Sequence, residues 1–516
     1  MEKIRTLLVA LILMAAACAP AVPPSPSPLA PTPTPAPVRV LRVAILDDIA
    51  NLEPGFLVSR WDDMVMKALY SNLFAFKPGT FEIIPDAVES YEVSEDGLEI
   101  TFKLREGIKW HRGYGELTTE DVKYTYELIA NPESGSPYQG DWAALDRVEI
   151  IDKYTGKIIL KEPFAPLWST TLPATSGMIM CRKAREELGD KHVTSPVGSG
   201  PYELVEWVPK QRVVLRRFKD YYGEPPYYDE IHLFPLEDEA AAEIALEAGE
   251  IDWTVISIPA MERFEKDERF GVGSAISLGY TWVGMNVENP KLRDVRVRKA
   301  IRSAIDVDAI IKAVYFGRVE RAKGLIAPTL LGHWSEAPLR TRDVEEAKRY
   351  LKEAGVETLD LTLAIESTTE MRAIAEIVQA NLKEVGINVE INAMDSATFW
   401  EIGFGDKGKE VELFVNAYSM EPDPSWATMW FTCDQVGQWN WQRWCNPRFD
   451  ELHLQALRTL NPEERARMYI EMQKLMDEDA IAVWITHGLV PYAYIKGLNP
   501  VLTPHGYALF ARFTGP

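Results

Sequence analysis

Between Asp343 and Ile391 the hydrophobic period changes three times. Apolar residues recur at helical spacing from Val344 to Ala354 and stop at Gly355. They then alternate at Leu359, Leu361, Leu363 and Ile365, return to helical spacing from Ala373 to Val385 before Gly386, and alternate again at Ile387, Val389 and Ile391. A period of two marks a half-buried strand and a period of 3.6 an amphipathic helix, and glycine just past the last turn accepts the left-handed conformation that stops a helix. Helix and strand in regular succession bury their apolar faces by laying parallel strands beneath crossover helices. This part of the chain therefore predicts a parallel-rich α/β lobe.

The rest of the chain is too long to join that lobe. Residues Val38 to Pro516 number 479, beyond the size at which one core keeps growing, so two or three domains are expected. Val40, Val43 and Ile45 suggest an opening strand over Arg39–Leu46, and a helix follows over Asp62–Asn72. Leu98, Ile100, Phe102 and Leu104 alternate with polar residues after the turn Ser94-Glu95-Asp96-Gly97, which predicts a hairpin with Tyr91 and Val93. Thr118 to Asp121 reads as a capping box. A second hairpin joins Val148–Ile151 to Lys157–Leu160. Near the C-terminus, helices are expected over Arg448–Thr459 and Pro462–Asp479, then a strand over Ala482–Ile485.

With 55 basic and 77 acidic residues the net charge is −22, which argues against nucleic acid or anionic lipid as partner. Lys3 and Arg5 precede an apolar run from Leu7 to Ala17 that is too short to span a bilayer and reads as a secretory signal. Residues 19–37 contain nine prolines in nineteen positions and form no core; they read as an extended polyproline tether. The chain is thus expected outside the cytoplasm, where disulfides are permitted.

Enzyme chemistry finds no frame. The histidines are scattered without metal-ligand spacing, and Gly198-Ser199-Gly200 lacks the frame of a nucleophile elbow. No Lys-Ser or Lys-Thr follows Gly200, and Pro201 blocks a helix there, so a phosphate loop is disfavoured. We expect no enzyme and no cofactor. A secreted hydrolase and a surface adhesion lipoprotein remain the alternatives of another class.

The stretch from Val415 to Pro447 stands out. It holds five of the chain's 15 tryptophans, Trp426, Trp430, Trp439, Trp441 and Trp444, and two of its four cysteines, with no helix or strand period. Such a loop either packs inside or binds something.

Pro85 to Gly113, with the continuation Thr118-Thr119-Glu120-Asp121-Val122, resembles the signature of the extracytoplasmic solute-binding proteins of family 5, the peptide, nickel and oligosaccharide binders of ABC importers. Pro196-Val197-Gly198-Ser199-Gly200-Pro201-Tyr202, Arg217 to Pro226, Leu246 to Asp252 and Asp294 to Ile301 resemble further motifs of that family. Apart from that resemblance, Gly198 and Gly200 are expected to supply unusual backbone angles where the chain crosses between lobes, and Arg296 and Arg298 to lie on a solvated or salt-bridged side of their helix. Asp306 would cap the next helix.

The resemblance implies an α/β, two-lobed periplasmic-binding-protein fold of type II, with an extra subdomain and discontinuous lobes joined by crossing strands. On that pattern residues 1–17 are a signal peptide and 18–37 a lipidated cysteine with its linker. Residues 38–270 plus 488–516 form the first lobe, with an insert at about 54–185, and 271–487 form the second. Ala15-Ala16-Ala17-Cys18 resembles the bacterial lipoprotein box, implying a lipid anchor on Cys18; an ordinary signal peptide cut near Ala17 is the alternative. The family pattern further implies a monomer that closes on a small solute and docks on membrane permease subunits.

The spacing of Cys433 and Cys445 before Asn446-Pro447 resembles the disulfide-closed loop of family dipeptide binders, leaving Cys181 a buried free thiol. Those binders hold the peptide amine with an aspartate and its carboxylate with an arginine. Here the aspartate position falls on Tyr418 or Glu421, and no basic residue occurs from Ile365 to Met371. Glu421 or Asp423 is left to meet an amine. Trp282, Trp400, Trp426, Trp439 and Trp441 are expected to wall the pocket, and flat rings serve peptide side chains and sugar faces alike. Peptide is the first reading, oligosaccharide the second, and other solutes, a metal chelate among them, the third.

Overall fold

The computed structural model describes residues 38–57 and 59–515. The signal segment, Cys18 and the tether expected within residues 1–37 lie outside them.

Two sheets organise the body. The first has seven strands in the order Phe270–Ile276, Leu489–Ile495, Trp253–Val255, Val40–Ile45, Glu230–Pro235, Arg212–Arg217, Tyr202–Val208. Val40–Ile45 lies inside it, parallel to both neighbours, and its Leu41, Val43 and Ile45 are wholly buried. The second sheet has five strands in the order Ile387–Met394, Leu359–Glu366, Leu413–Tyr418, Tyr280–Met285, Ala482–Thr486. Leu359–Glu366 pairs in parallel with both neighbours, which is the parallel portion that the alternating periods predict. The helix Thr369–Lys383 begins ahead of its apolar run because the Thr368 hydroxyl accepts from Met371 N at 3.2 Å.

The chain passes between the sheets at residues 277–279 and 487–488. The expected boundary at 271 falls inside a strand instead, because pairing with Leu489–Ile495 persists through Ile276. His487 Nδ1 lies 3.0 Å from the Gly279 carbonyl oxygen, tying one crossing to the other. The segment after Gly488 returns to the first sheet, and Phe510 and Phe513 close its core.

A four-stranded antiparallel sheet, Val88–Val93, Glu99–Leu104, Thr155–Leu160 and Leu145–Ile150, is inserted within the first lobe. Phe102, Trp110, Tyr126 and Trp142 fill its own core. The expected hairpins form it, and the Thr118/Asp121 capping box starts the helix Thr119–Ala130.

Two local expectations are corrected. Gly198 and Gly200 are absent from the left-handed region; they are glycines because a Cβ would lie 1.9 Å from the Leu69 carbonyl oxygen at 198 and 2.6 Å from its carbon at 200. They seat the helix end Leu69 against the strand opening at Tyr202, within one lobe. Arg298 is not solvated: it is buried and donates to the carbonyls of Leu292, Arg293 and Asp479. Arg296 does lie outside, paired with Asp294.

Candidate functional site

Ser59 and Asp62 form a reciprocal capping box at 3.2 Å in each direction. It starts a helix at Arg60, ahead of the expected Asp62, and extended backbone at Tyr70 ends it at Leu69. Trp61, Met64, Val65, Ala68 and Leu69 bury this helix in the first lobe. Its remaining face carries Arg60, Asp63 and Lys67 into a cavity of about 420 Å³. The second lobe contributes Ser419, Met420, Glu421 and Pro422, the crossing contributes Ser277 and Leu278, and the C-terminal return contributes His505 and Tyr507. Residues far apart in sequence thus meet in one cleft.

The charges there are unequally paired. Lys67 Nζ lies 3.0 Å from Asp63 Oδ1, and the Thr175 hydroxyl also donates to Asp63. Glu421 makes no side-chain hydrogen bond or ion pair among the described residues. Burial, reinforced by the Asp63 and Asp141 carboxylates and opposed by Lys67, pushes its carboxyl up to about 7. Asp141 is likewise pushed up to about 7 by burial, against a 2.7 Å hydrogen bond from Ser176. His505 is held neutral, driven down to about 3 by burial and by the Lys67 and Arg60 cations, and stacks on Phe81 at 5.6 Å.

Asp423 is not available to an amine. It is fully buried, and Arg465 grips both its oxygens at 2.6 and 2.7 Å. Burial acts to raise its carboxyl, but the charge and hydrogen bonds of Arg465, with Ser169 and Ser425, outweigh that and hold it below its ordinary value. Its Oδ1 also caps the helix Pro424–Thr428 through Ser425 N. Because Ser169 belongs to the first lobe and Asp423 to the second, their hydrogen bond links the lobes, as does the Arg458–Glu162 ion pair at 2.6 Å.

The aromatic residues behave differently from the expected pocket wall. Val415 to Tyr418 belong to a core strand of the second sheet, with Tyr418 opposite Tyr280. Trp282 is fully buried against Tyr418 at 4.9 Å. Trp441 is 1% exposed and lies over Gly403, where a Cβ would come within 1.8 Å of the indole. Both are core residues. Tyr418 donates to the Trp439 carbonyl at 2.8 Å and stacks on Trp400. Trp426 meets Trp430 at 6.1 Å, and Trp439 is 37% exposed between Trp430 and Phe404. None of these tryptophans lines the cavity. Cys433 and Cys445 are bonded, and Cys181 is a buried free thiol.

Glu421 alone of the expected site residues faces the cleft. Arg60, Asp63, Lys67 and Tyr507 escaped sequence reading. The available signal was a helix buried on nearly every side yet bearing cation and carboxylate one turn apart.

Among the described residues no group of three or more histidine, cysteine, aspartate or glutamate side chains is placed to hold a metal ion. No helix there is long and apolar enough to cross a membrane.

The model of the bacterial extracellular solute-binding proteins, family 5 Middle, matches residues 82–439. A dipeptide-binding protein of Escherichia coli K12 is 30% identical over 452 residues, covering 82% of this chain and 84% of that protein. The solved structure of HbpA2 from Haemophilus parasuis superposes with a TM-score of 0.84 at 23% identity, covering 92% of this chain and all of that one. A dipeptide-binding protein from Pseudoalteromonas, solved with Met-Leu, superposes at 0.77 with 21% identity, over 93% of this chain and 100% of its own. At those identities the structural likeness is one of fold.

Proposed function

The chain belongs to the bacterial extracellular solute-binding proteins of family 5, with the two-lobed α/β fold of type II periplasmic binding proteins, and we propose that it captures a short peptide between its lobes for an ABC importer. The observation that carries this reading is Glu421, a half-buried carboxylate that lines the interlobe cavity with no hydrogen-bond or ion-pair partner among the described residues. A ligand ammonium beside it would supply the missing counter-charge and bring its carboxyl back down. Because Glu421 and the Asp63/Lys67 helix belong to opposite lobes, a solute touching both favours the closed arrangement, which is what couples binding to closure. The two dipeptide-binding relatives, one of them solved with Met-Leu, support the same solute class.

Oligosaccharide, which needs an aromatic platform, is less favoured because the tryptophans pack outside the cavity. The protein acts as a binding component rather than an enzyme. It operates outside the cytoplasm, anchored through Cys18, and passes its solute to membrane permease subunits. The boundary assignment we adopt places 39–276 and 489–515 in one lobe and 280–486 in the other.

Thermal unfolding of the purified protein with peptides and with cello-, xylo- and manno-oligosaccharides tests the reading. A peptide at 100 times its dissociation constant adds about 2.7 kcal/mol of stability. A shift with sugars alone would transfer the function to the oligosaccharide reading. For the anchor, Cys18→Ser is expected to abolish fatty-acid labelling in cells; persistent labelling would refute it.

A further inference from the structure

We infer that Arg60 is the anion-holding residue of the cleft: its guanidinium takes a carboxylate of the bound solute, on the first lobe, beside the rings of Trp61 and Tyr507. The inference rests on the peptide-binding reading and names the ligand group opposite the amine.

The observation behind it is an arginine without a partner. Arg60 lines the 420 Å³ cavity, and its Nε and Nη2 are buried with no hydrogen-bond partner among the described residues. The buried arginines of the described residues are employed: Arg465 by Asp423, Arg443 by Glu288 and Arg298 by three carbonyls; the largely covered Arg302 is taken by Asp477. Leaving charged donors buried and unpaired is costly, so a cleft that keeps such a group is missing a ligand atom rather than packing a scaffold.

The identity of the idle atoms specifies the chemistry. Nε and Nη2 form the side edge of the guanidinium, whose two N–H bonds match the two oxygens of a carboxylate. This protein uses that edge elsewhere. Arg42 grips Asp252 with Nε at 3.1 Å and Nη2 at 2.5 Å, and Arg296 grips Asp294 through the same two nitrogens. The guanidinium carbon of Arg60 lies 5.1 Å from the Trp61 ring centroid and 5.2 Å from that of Tyr507, so the two rings brace it. Water is excluded from the idle edge with the lobes in contact, so the partner arrives with the solute before closure.

Arg60 and Glu421 line the cavity from opposite lobes. A solute with an amine at one end and a carboxylate at the other matches both. In peptides the carboxylate comes from the C-terminus or from an acidic side chain.

Calorimetry separates these sources with three probes, tri-alanine, tri-alanine amide and Ala-Ala-Glu amide, against wild type, Arg60→Met and Arg60→Lys. Wild type is expected to bind tri-alanine at least about 10-fold more tightly than its amide. Arg60→Met erases that difference by weakening the free acid alone, and Arg60→Lys, which keeps the charge without the forked edge, recovers only part of it. If tri-alanine binds no better than its amide while Ala-Ala-Glu amide binds more tightly than both, the side chain supplies the carboxylate and Arg60→Met weakens that probe instead. Equal binding of all three by wild type, or an equal loss of all three in Arg60→Met, overturns the inference while leaving peptide binding intact. Thermal unfolding without ligand gives an independent readout: Arg60→Met is expected to match or exceed wild type, and a drop of several degrees would return Arg60 to the scaffold. No binding of any peptide by wild type would sink the peptide reading itself, and the inference with it.

Discussion

Replacing Glu421 with glutamine tests the cleft electrostatics most directly. Its carboxyl is displaced from 4.5 to about 7 in the folded protein, and each pKa unit corresponds to about 1.4 kcal/mol. Keeping Glu421 ionised in the ligand-free fold therefore costs on the order of 3 kcal/mol. The sign follows from the direction of the shift. Below the unfolded value both states are protonated and the cost is absent; it grows between 4.5 and about 7 and is complete above that. Urea unfolding at about pH 8 should then find Glu421→Gln more stable than wild type by about 2–3 kcal/mol, with the gap closing towards about pH 4.5. Peptide affinity should move the other way. It rises with pH in wild type as Glu421 ionises, and it is weak and flat in Glu421→Gln. A variant less stable than wild type at about pH 8 would mean that Glu421 holds the lobes together, and the unpaired-carboxylate account would be wrong.

Three further expectations concern the scaffold around that cleft. Asp423→Asn strands the buried charge of Arg465 and is expected to cost about 3–5 kcal/mol in denaturant unfolding; a loss below about 1 kcal/mol would show the pair to be dispensable. Trp441→Ala should cost about 3–5 kcal/mol because it empties a core position, whereas the half-exposed Trp439→Ala should cost about 1 kcal/mol or less; equal losses would contradict their different burial. Removing the Cys433–Cys445 bridge by Cys433→Ser with Cys445→Ser opens a loop of 12 residues and should lower stability by at most about 3 kcal/mol on chain-entropy grounds, read as a shift of the urea midpoint that reductant reproduces in wild type.

Much of the scaffold was legible because its signals are short-ranged. The periods from Val344 to Ile391, the Leu98–Leu104 hairpin and the Thr118/Asp121 box each involve residues a few positions apart, and each formed close to where it was expected. Helix starts slipped where a cap lay upstream of the first apolar residue, as at Ser59 and Thr368. The glycines of the Val197-Gly198-Ser199-Gly200 turn were conspicuous in sequence, but their reason, the carbonyl of Leu69 pressed against them, lies more than a hundred residues away.

The candidate site was the least legible part for the same reason. Tryptophan carries no local mark of whether it packs or binds, so Trp282 and Trp441 looked like pocket walls until the second sheet placed them inside its core. Asp423 and Glu421 are two residues apart with the same charge, yet Arg465, 42 residues further on, takes Asp423 and leaves Glu421 without a partner among the described residues. By itself the sequence determined the α/β class, the hairpins, the caps and the family likeness, because covalent neighbours set periodicity and turn chemistry. Only the tertiary structure decided which charges remain unpaired. Two strand crossings bring the Arg60–Leu69 helix of one lobe against Glu421 of the other, and whether a buried charge finds a partner depends on distances in space that no local pattern records.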